Sequence, residues 1–173
     1  MKHKGLATLL GAVGVVGLTW GVGTAVDAHG SHPPSAAEIQ FAKETSDLMT
    51  NTVVAALVQE IGETTPSNVA QGNQSISLIF NDRNHDMRLV GRLSPLRHND
   101  YPEDRFERDA LDDAMSGTPR TSVERVNGQW TYRRSIPLSN FAPQCKMCHS
   151  NFAALSSSAW VGALMLRIPI GDD

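Results

Sequence analysis

The two cysteines of the chain lie three positions apart, and a histidine directly follows the second, in the order Cys145-Lys146-Met147-Cys148-His149. This spacing is the attachment pattern of c-type haem. Two thiols separated by two residues can each form a thioether with a vinyl group of the same porphyrin, and the adjacent imidazole can reach the iron as its proximal ligand. The motif therefore predicts one covalent haem c, attached through Cys145 and Cys148 and ligated by His149.

Two other chemistries also use closely spaced cysteines. A structural zinc site needs four ligands, usually with a second Cys/His pair, but this chain has no further cysteine. His85 and His98 could complete such a site only through a loose long-range arrangement. A thioredoxin-like dithiol begins a helix in a βαβ unit, whereas this motif ends 25 residues before the C-terminus, in a predicted loop. Haem attachment is the favoured interpretation.

The sixth coordination position of such a haem decides between electron transfer and the binding of a small ligand. The sequence offers Met49, His85, Met87, His98 and Met115 as candidates. Met49 lies on the apolar stripe of a predicted long helix, where filling the core is the alternative role. An open or water-filled sixth position is favoured as strongly as ligation by Met49. Ligation by His85 or Met87 is favoured less strongly.

Two adjacent arginines, Arg133 and Arg134, precede the motif on a predicted strand. A guanidinium suits a haem propionate, because it can form two parallel charge-assisted hydrogen bonds with a carboxylate. Neighbouring side chains of a strand point to opposite faces, so at most one of the two can face the haem. The alternative is that each is an ordinary exposed strand residue.

The N-terminus has the pattern of an export signal. Lys2 and Lys4 precede an apolar run over residues 6–22, and Val26 and Ala28 stand at the −3 and −1 positions of a cleavage site. An uncleaved anchor helix is the alternative, although this run is near the minimum of about 20 apolar residues that span a bilayer. We therefore predict a signal peptide or anchor over residues 1–28 and a single haem domain over residues 29–173. Both alternatives place that domain in the periplasm, and membrane attachment follows only if the segment is retained.

Composition excludes several classes of protein. The chain has 173 residues, of which 40% are hydrophobic, and its 15 Lys+Arg and 18 Asp+Glu give a net charge of −3. This apolar content argues against disorder, two cysteines are too few for a disulfide scaffold, and no basic stripe favours a nucleic-acid partner. The expected partner is a redox or signalling protein that the sequence does not identify, and the sequence does not give the oligomeric state.

The elements that position the motif follow from periodicity. Ser35 with Glu38 has the pattern of a capping box that opens a long helix ending near Gly62. A second, shorter helix begins after Pro102 and ends at Gly117. Strands are predicted over residues 75–80, 87–93, 130–136 and 160–170, the first two forming a hairpin through a turn at 81–84. This order predicts an α+β fold in which helices pack on a small antiparallel sheet, whereas a four-helix-bundle cytochrome would show helical periodicity throughout.

Several stretches follow the long N-terminal helix in a fixed order. They are residues 92–102, leading to Phe106-Glu107 and Ala110-Leu111, then Trp130-Thr131-Tyr132 with Ile136-Pro137, the haem motif, and Gly162-Ala163-Leu164 leading to Ile168-Pro169. In this order the chain resembles the exported monohaem c-type domains with a PAS-like fold, of the cyanobacterial lumenal type that was formerly a domain of unknown function. The similarity covers most of the mature chain, over residues 35–170.

This resemblance implies a PAS-like antiparallel sheet, haem against the sheet, and His149 as proximal ligand. Certain members use a cysteine of the N-terminal helix as sixth ligand, and this chain has no third cysteine, so Met49 of the same helix is the replacement. The expected function is a periplasmic monohaem c-type cytochrome for one-electron transfer or haem-based redox sensing. The alternative is an open-site sensor of a gas such as NO or CO. A haem enzyme such as a peroxidase would need a distal acid or base that nothing in the sequence singles out, so no catalytic residue is assigned.

Overall fold

A computed structural model describes residues 32–80, 87–92 and 100–171 of the chain. The predicted export segment 1–28 and the predicted turn at 81–84 lie outside these residues. Within the described part, no helix is both long enough and apolar enough to cross a membrane.

The described residues form an α+β structure with one antiparallel sheet of four strands, as predicted. In the sheet the strands stand in the order β1-β4-β3-β2, so the last strand of the chain lies between the first and the third. The elements are α1 (Ala36–Glu63), α2 (Val69–Phe80), β1 (Met87–Gly91), α3 (Arg105–Ala114), β2 (Arg120–Val126), β3 (Gln129–Ser139), α4 (Cys145–Cys148), a 3-10 turn (Ser150–Phe152) and β4 (Trp160–Pro169).

The 28-residue helix α1 begins with the predicted capping box. The Ser35 hydroxyl accepts a hydrogen bond from the Glu38 amide at 3.3 Å, and the Glu38 carboxylate accepts one from the Ser35 amide at 2.7 Å. Two of the amides that a helix N-terminus leaves unpaired are satisfied in this way. The helix ends at Glu63, within one residue of the predicted stop at Gly62.

The central strand β4 separates two apolar layers, because successive side chains of a strand point to opposite faces. Ala163 and Met165 pack with α3, while Leu164 and Leu166 pack with Val53 and Leu57 of α1. Helices α1 and α3 therefore cover opposite faces of the sheet. The pairing of β1 with β4 ends at Leu166, so among the described residues the far end of β4 pairs only with β3.

Residues 75–80 were predicted as a strand, and this prediction is wrong: they form the second half of α2. Ile76 and Phe80 stand one helical turn apart and both pack against the cluster that α1 and β4 form. A short apolar run reads equally well as a buried strand or a buried helix, so packing against α1 decides the outcome. No hairpin therefore joins residues 75–80 to β1.

Strand β2 was not predicted, and it pairs with β3 along its whole length. The turn between them consists of Asn127 and Gly128, with φ angles of 52° and 90°. Both residues have positive φ, as a two-residue type I′ hairpin requires, and Asn-Gly is the preferred sequence there. This dipeptide is the signal that would have predicted the hairpin.

A network of charged side chains lies between α3 and the sheet. Glu107 of α3 is fully buried, and its carboxylate accepts a hydrogen bond from Arg167 at 2.8 Å and another from the Glu103 amide at 2.8 Å. Arg88 and Arg133 approach the same carboxylate at 3.6 and 3.7 Å. Three strands thus each direct one arginine at the first turn of α3, which fixes the position of this helix on the sheet.

Asp104 caps α3 and joins the same network. Its carboxylate accepts the Glu107 amide at 2.9 Å and an Arg133 nitrogen at 2.8 Å. Burial alone would raise the pKa of Asp104, but these two donors outweigh burial and hold its pKa below the usual value. The cap is therefore ionised at neutral pH, as a favourable charge at a helix N-terminus should be.

Candidate functional site

The cysteine motif was predicted to lie in a loop, but its residues 145–148 form one helical turn, α4, in the connection between β3 and β4. The His149 amide donates to the Cys145 carbonyl at 2.9 Å and closes the turn. Residues three apart on a helix lie on the same side, so this turn brings the two thiols to one side. Both cysteines are free, Cys145 half-buried and Cys148 exposed, and burial raises the pKa of the Cys145 thiol.

His149 stacks on Phe152, with 4.7 Å between the ring centroids and 18° between the ring planes. Phe152 is buried, and its amide donates to the His149 carbonyl at 2.9 Å. The short 3-10 turn that follows the motif thus supports the imidazole from one side. Such support restricts the ring to few orientations, as a metal-ligating histidine requires.

Asn140, the residue directly after β3, holds the two ends of the β3–β4 connection together. Its amide donates to the Ala159 carbonyl at 2.8 Å, just before β4 begins. Its side-chain nitrogen lies 3.3–3.4 Å from the carbonyl oxygens of Phe152, Leu155 and Ser156. One buried asparagine therefore joins the end of β3, the segment after the motif and the start of β4.

Both cysteines and His149 border one apolar cleft. Its interior is about 170 Å³, and the empty space is about 990 Å³ when the open mouth is included. Ligand pockets commonly enclose about 300–1,000 Å³, so this interior would enclose only part of a large group, and the rest of such a group would lie in the open mouth. Besides the motif, the lining comes from helices α1 and α2 (Leu57, Ile61, Thr64, Ile76), from the adjacent ends of three strands (Leu89, Val90, Gly91, Leu138, Ser139, Val161, Gly162, Ala163), and from Asp100, Phe141, Gln144 and Phe152.

Met49, the predicted sixth ligand, does not line this cleft. It is partly buried against the sheet, between the cluster around Tyr132 and Ile168 and the cluster around Leu164 and Leu166. Leu57 lies two turns further along α1 and does line the cleft. The helix predicted to face the haem therefore does border the site, but with its C-terminal half.

Arg133 and Arg134 point to opposite faces of the sheet, as expected, and neither lines the cleft. Arg133 is buried and pairs with Asp104 and Glu124, at 2.8 Å each. Arg134 forms an ion pair with Asp47 of α1. In this structure both guanidiniums hold a helix or a strand to β3, and contact of either with a haem propionate stays a prediction.

The other candidate ligands are placed as follows. Met87 packs in the cluster formed by α1, α2 and β4, and Met115 packs at the end of α3, so neither borders the cleft. His85 and His98 lie outside the described residues. In the part of the chain that is described, no three His, Cys, Asp or Glu side chains are grouped so that they could hold a metal ion.

The part of the cleft lining that helices α1 and α2 supply was not predicted; it consists of Leu57, Ile61, Thr64 and Ile76. The apolar stripe of α1 was recognised, but periodicity does not tell which part of a stripe contacts the sheet and which part contacts a cofactor. Assigning residues 75–80 to a strand also removed Ile76 from consideration. Phe152 carried a weak signal, since it stands one helical turn after His149.

Comparison with known proteins adds no family to this description. The chain matches no protein-family model and no curated protein sequence.

Proposed function

We propose that this protein is an exported monohaem c-type cytochrome that serves in one-electron transfer or haem-based redox sensing. Cys145 and Cys148 would form the two thioethers, and His149 would ligate the iron. The observation that carries the proposal is that both thiols and this imidazole border a single apolar cleft. When bound, the haem supplies a one-electron redox centre, and the protein tunes it through axial ligation and burial.

The residues around the cleft fit a porphyrin. Most of the lining side chains are aliphatic or aromatic, which suits the faces of a macrocycle, and the open mouth leaves room for a polar edge. The stacked Phe152 keeps the His149 ring in place, and the Asn140 hydrogen bonds keep the whole connection attached to the sheet. The chain's own part is thus to hold the cofactor and to orient its proximal ligand.

The finer fold assignment, a PAS-like domain, belongs to the same proposal. Support comes from the antiparallel sheet with β4 at its centre and from α3, which crosses over one face between β1 and β2. The proposed location is the periplasm, supported by the export pattern of residues 1–28 and by the requirement that c-type haem be attached outside the bacterial cytoplasm. A redox or signalling protein is the proposed partner.

The test is to produce the full chain in cells that carry a cytochrome c maturation system. We expect a coloured protein whose mass exceeds that of the polypeptide by one haem, with a pyridine haemochrome spectrum of two saturated vinyl groups. Cys148→Ser should retain one thioether, so its haemochrome band should move toward that of haem with one free vinyl group. Met147→Ala, within the motif but outside the cleft lining, is the matched control and should load haem normally.

His149→Ala tests the proximal ligand separately from attachment. Both thioethers should still form, so the mass gain should persist, while the ferric and ferrous spectra should change. A colourless wild-type protein without the mass gain would overturn the proposal. Full haem attachment with a spectrum that His149→Ala leaves unchanged would overturn the ligand assignment.

A further inference from the structure

Helix α1 carries apolar side chains on two faces. The face toward the sheet buries Ala42, Val53 and Leu57. The face away from the sheet carries Phe41 and Leu48, whose exposed fractions of 70% and 69% exceed those of the other large apolar residues described. At about 100° per residue, the centres of the two faces lie roughly 160° apart around the helix. A surface helix normally keeps the side opposite its core polar, so the second apolar face indicates a contact beyond the single chain.

Four exposed residues, here called the outer face, form this second surface: Phe41, Leu48, Ala55 and Val58. Their successive spacings are seven, seven and three residues. This is the spacing of the a and d positions of a coiled coil, where side chains of one helix insert between those of another. At a rise of about 1.5 Å per residue, Phe41 and Val58 lie about 26 Å apart along α1. A row this long and narrow fits a second helix.

The charges of α1 argue against a lipid surface as the occupant of the outer face. The helix has one basic side chain, Lys43, and five acidic ones, Glu38, Glu44, Asp47, Glu60 and Glu63. Helices that lie in a membrane surface carry Lys and Arg on their polar side, and anionic lipids attract those cations. The outer face therefore suits another protein helix.

The outer face is complementary to itself when two copies of α1 run antiparallel. With a two-fold axis at the middle of α1, Phe41 of one copy faces Val58 of the other, and Leu48 faces Asn51. The largest side chain of the outer face then meets a smaller one at both ends of the pair, as interdigitating helices require. A parallel pair would place Phe41 against Phe41 and would bring the two Glu44 carboxylates into one layer, where like charges repel.

We propose that two copies of this chain associate through the outer face of α1, with the two helices antiparallel about a two-fold axis. Such an interface is isologous, so each residue of the outer face contributes twice. Leu57 and Ile61, through which α1 borders the cleft, lie on a different side of the helix. The association therefore does not depend on the proposed haem attachment.

Sedimentation velocity of the full chain over a range of concentrations measures this association. We expect the wild type to move from the mass of one chain toward twice that mass as its concentration rises. Leu48→Glu places a charge at the centre of the outer face and should raise the dissociation constant of the dimer at least about tenfold. Tyr101→Glu is the matched control, because Tyr101 is also a large exposed residue, at 55%, but lies outside α1. That variant should associate like the wild type.

A charge exchange tests the direction of the two helices. Phe41→Lys and Val58→Glu should each weaken association, and the double variant should regain it, because each lysine then faces a glutamate of the other copy. In a parallel pair like charges would face each other, so a double variant that stays monomeric would overturn the proposal.

Two further outcomes would also overturn the proposal. The first is a wild-type chain that stays monomeric at every concentration, or one that Leu48→Glu leaves unchanged. The second is a monomeric wild type that floats with vesicles of phosphatidylglycerol and phosphatidylethanolamine while Leu48→Glu does not, since the outer face would then bind lipid. Because mass is measured, not colour, a chain without haem would refute only the proposed function.

Discussion

Glu107 is the residue on which the charged layer between α3 and the sheet depends. It is fully buried and faces Arg88, Arg133 and Arg167, while the Glu103 amide donates to it as well. Replacing a buried ion pair by apolar groups can be neutral, but removing one partner leaves an uncompensated charge. Without this carboxylate, the guanidinium groups of three arginines would lie together with one negative charge fewer between them.

We therefore expect Glu107→Gln to lower the free energy of unfolding by about 3 kcal/mol, although the side chain keeps its shape. Urea denaturation followed by circular dichroism measures this loss. Glu44→Gln is the control, since Glu44 is exposed on α1 and accepts a hydrogen bond from the Gln40 side chain at 2.8 Å. That exchange should change the stability by less than about 0.5 kcal/mol. Equal losses in the two variants would show that Glu107 is not the centre of the network.

The β2–β3 hairpin needs a glycine for its backbone conformation, whereas the long helix α1 does not. Gly128 has a φ of 90°, which an L side chain adopts only at a cost, although nothing lies within 4 Å of a Cβ there. Gly62 is helical, and a Cβ on it also meets nothing within 4 Å. Gly128→Ala should therefore destabilise the protein by about 1–2 kcal/mol, while Gly62→Ala should stabilise it by up to about 1 kcal/mol. Thermal unfolding of the two variants should give midpoint shifts of opposite sign, and shifts of the same sign would contradict this account.

At the level of elements, local signals predicted α1, α3, β1, β3 and β4, because caps and alternation are encoded within each segment. The dipeptide Asn127-Gly128 is an equally local signal for the β2–β3 hairpin, which was not predicted. The state of residues 75–80 is a different matter, since a run of four apolar side chains carries no clear period and contact with α1 determines it.

The site shows the same division. The motif predicted the three residues that border the cleft together, because the spacing of the two cysteines and the histidine already places them within one helical turn. The roles of Met49, Arg133 and Arg134 depended on which part of each element meets the cleft, and that is a property of the assembled layers. The buried carboxylate of Glu107 could not be predicted either, since its arginine partners come from three strands distant in sequence.

At the scale of the whole molecule, the cleft leaves apolar side chains of the interior open to solvent. Its lining is mostly aliphatic and aromatic, and a porphyrin in it would remove this surface from water. A group that binds only the folded state adds its binding free energy to folding. The haem-loaded protein should therefore unfold at a higher temperature than the Cys145→Ser/Cys148→Ser double variant, which cannot form the thioethers.

Differential scanning calorimetry on the two full-length proteins measures this difference. Met147→Ala, loaded with haem, is the control for disturbance of the α4 turn and should unfold close to the wild type. A double variant as stable as the loaded wild type would mean that the cleft contributes to folding without its cofactor.

The order of the chain also bears on how such a protein is assembled. Strand β4 pairs with both β1 and β3, and among the described elements it follows the cysteine motif in sequence. It also supplies Val161, Gly162 and Ala163 to the cleft. If the chain is exported N-terminus first and loaded with haem, as proposed, the thiols would emerge before the strand that closes the cleft around them. A maturation enzyme would then have an interval in which to reach both sulfurs on an unclosed chain.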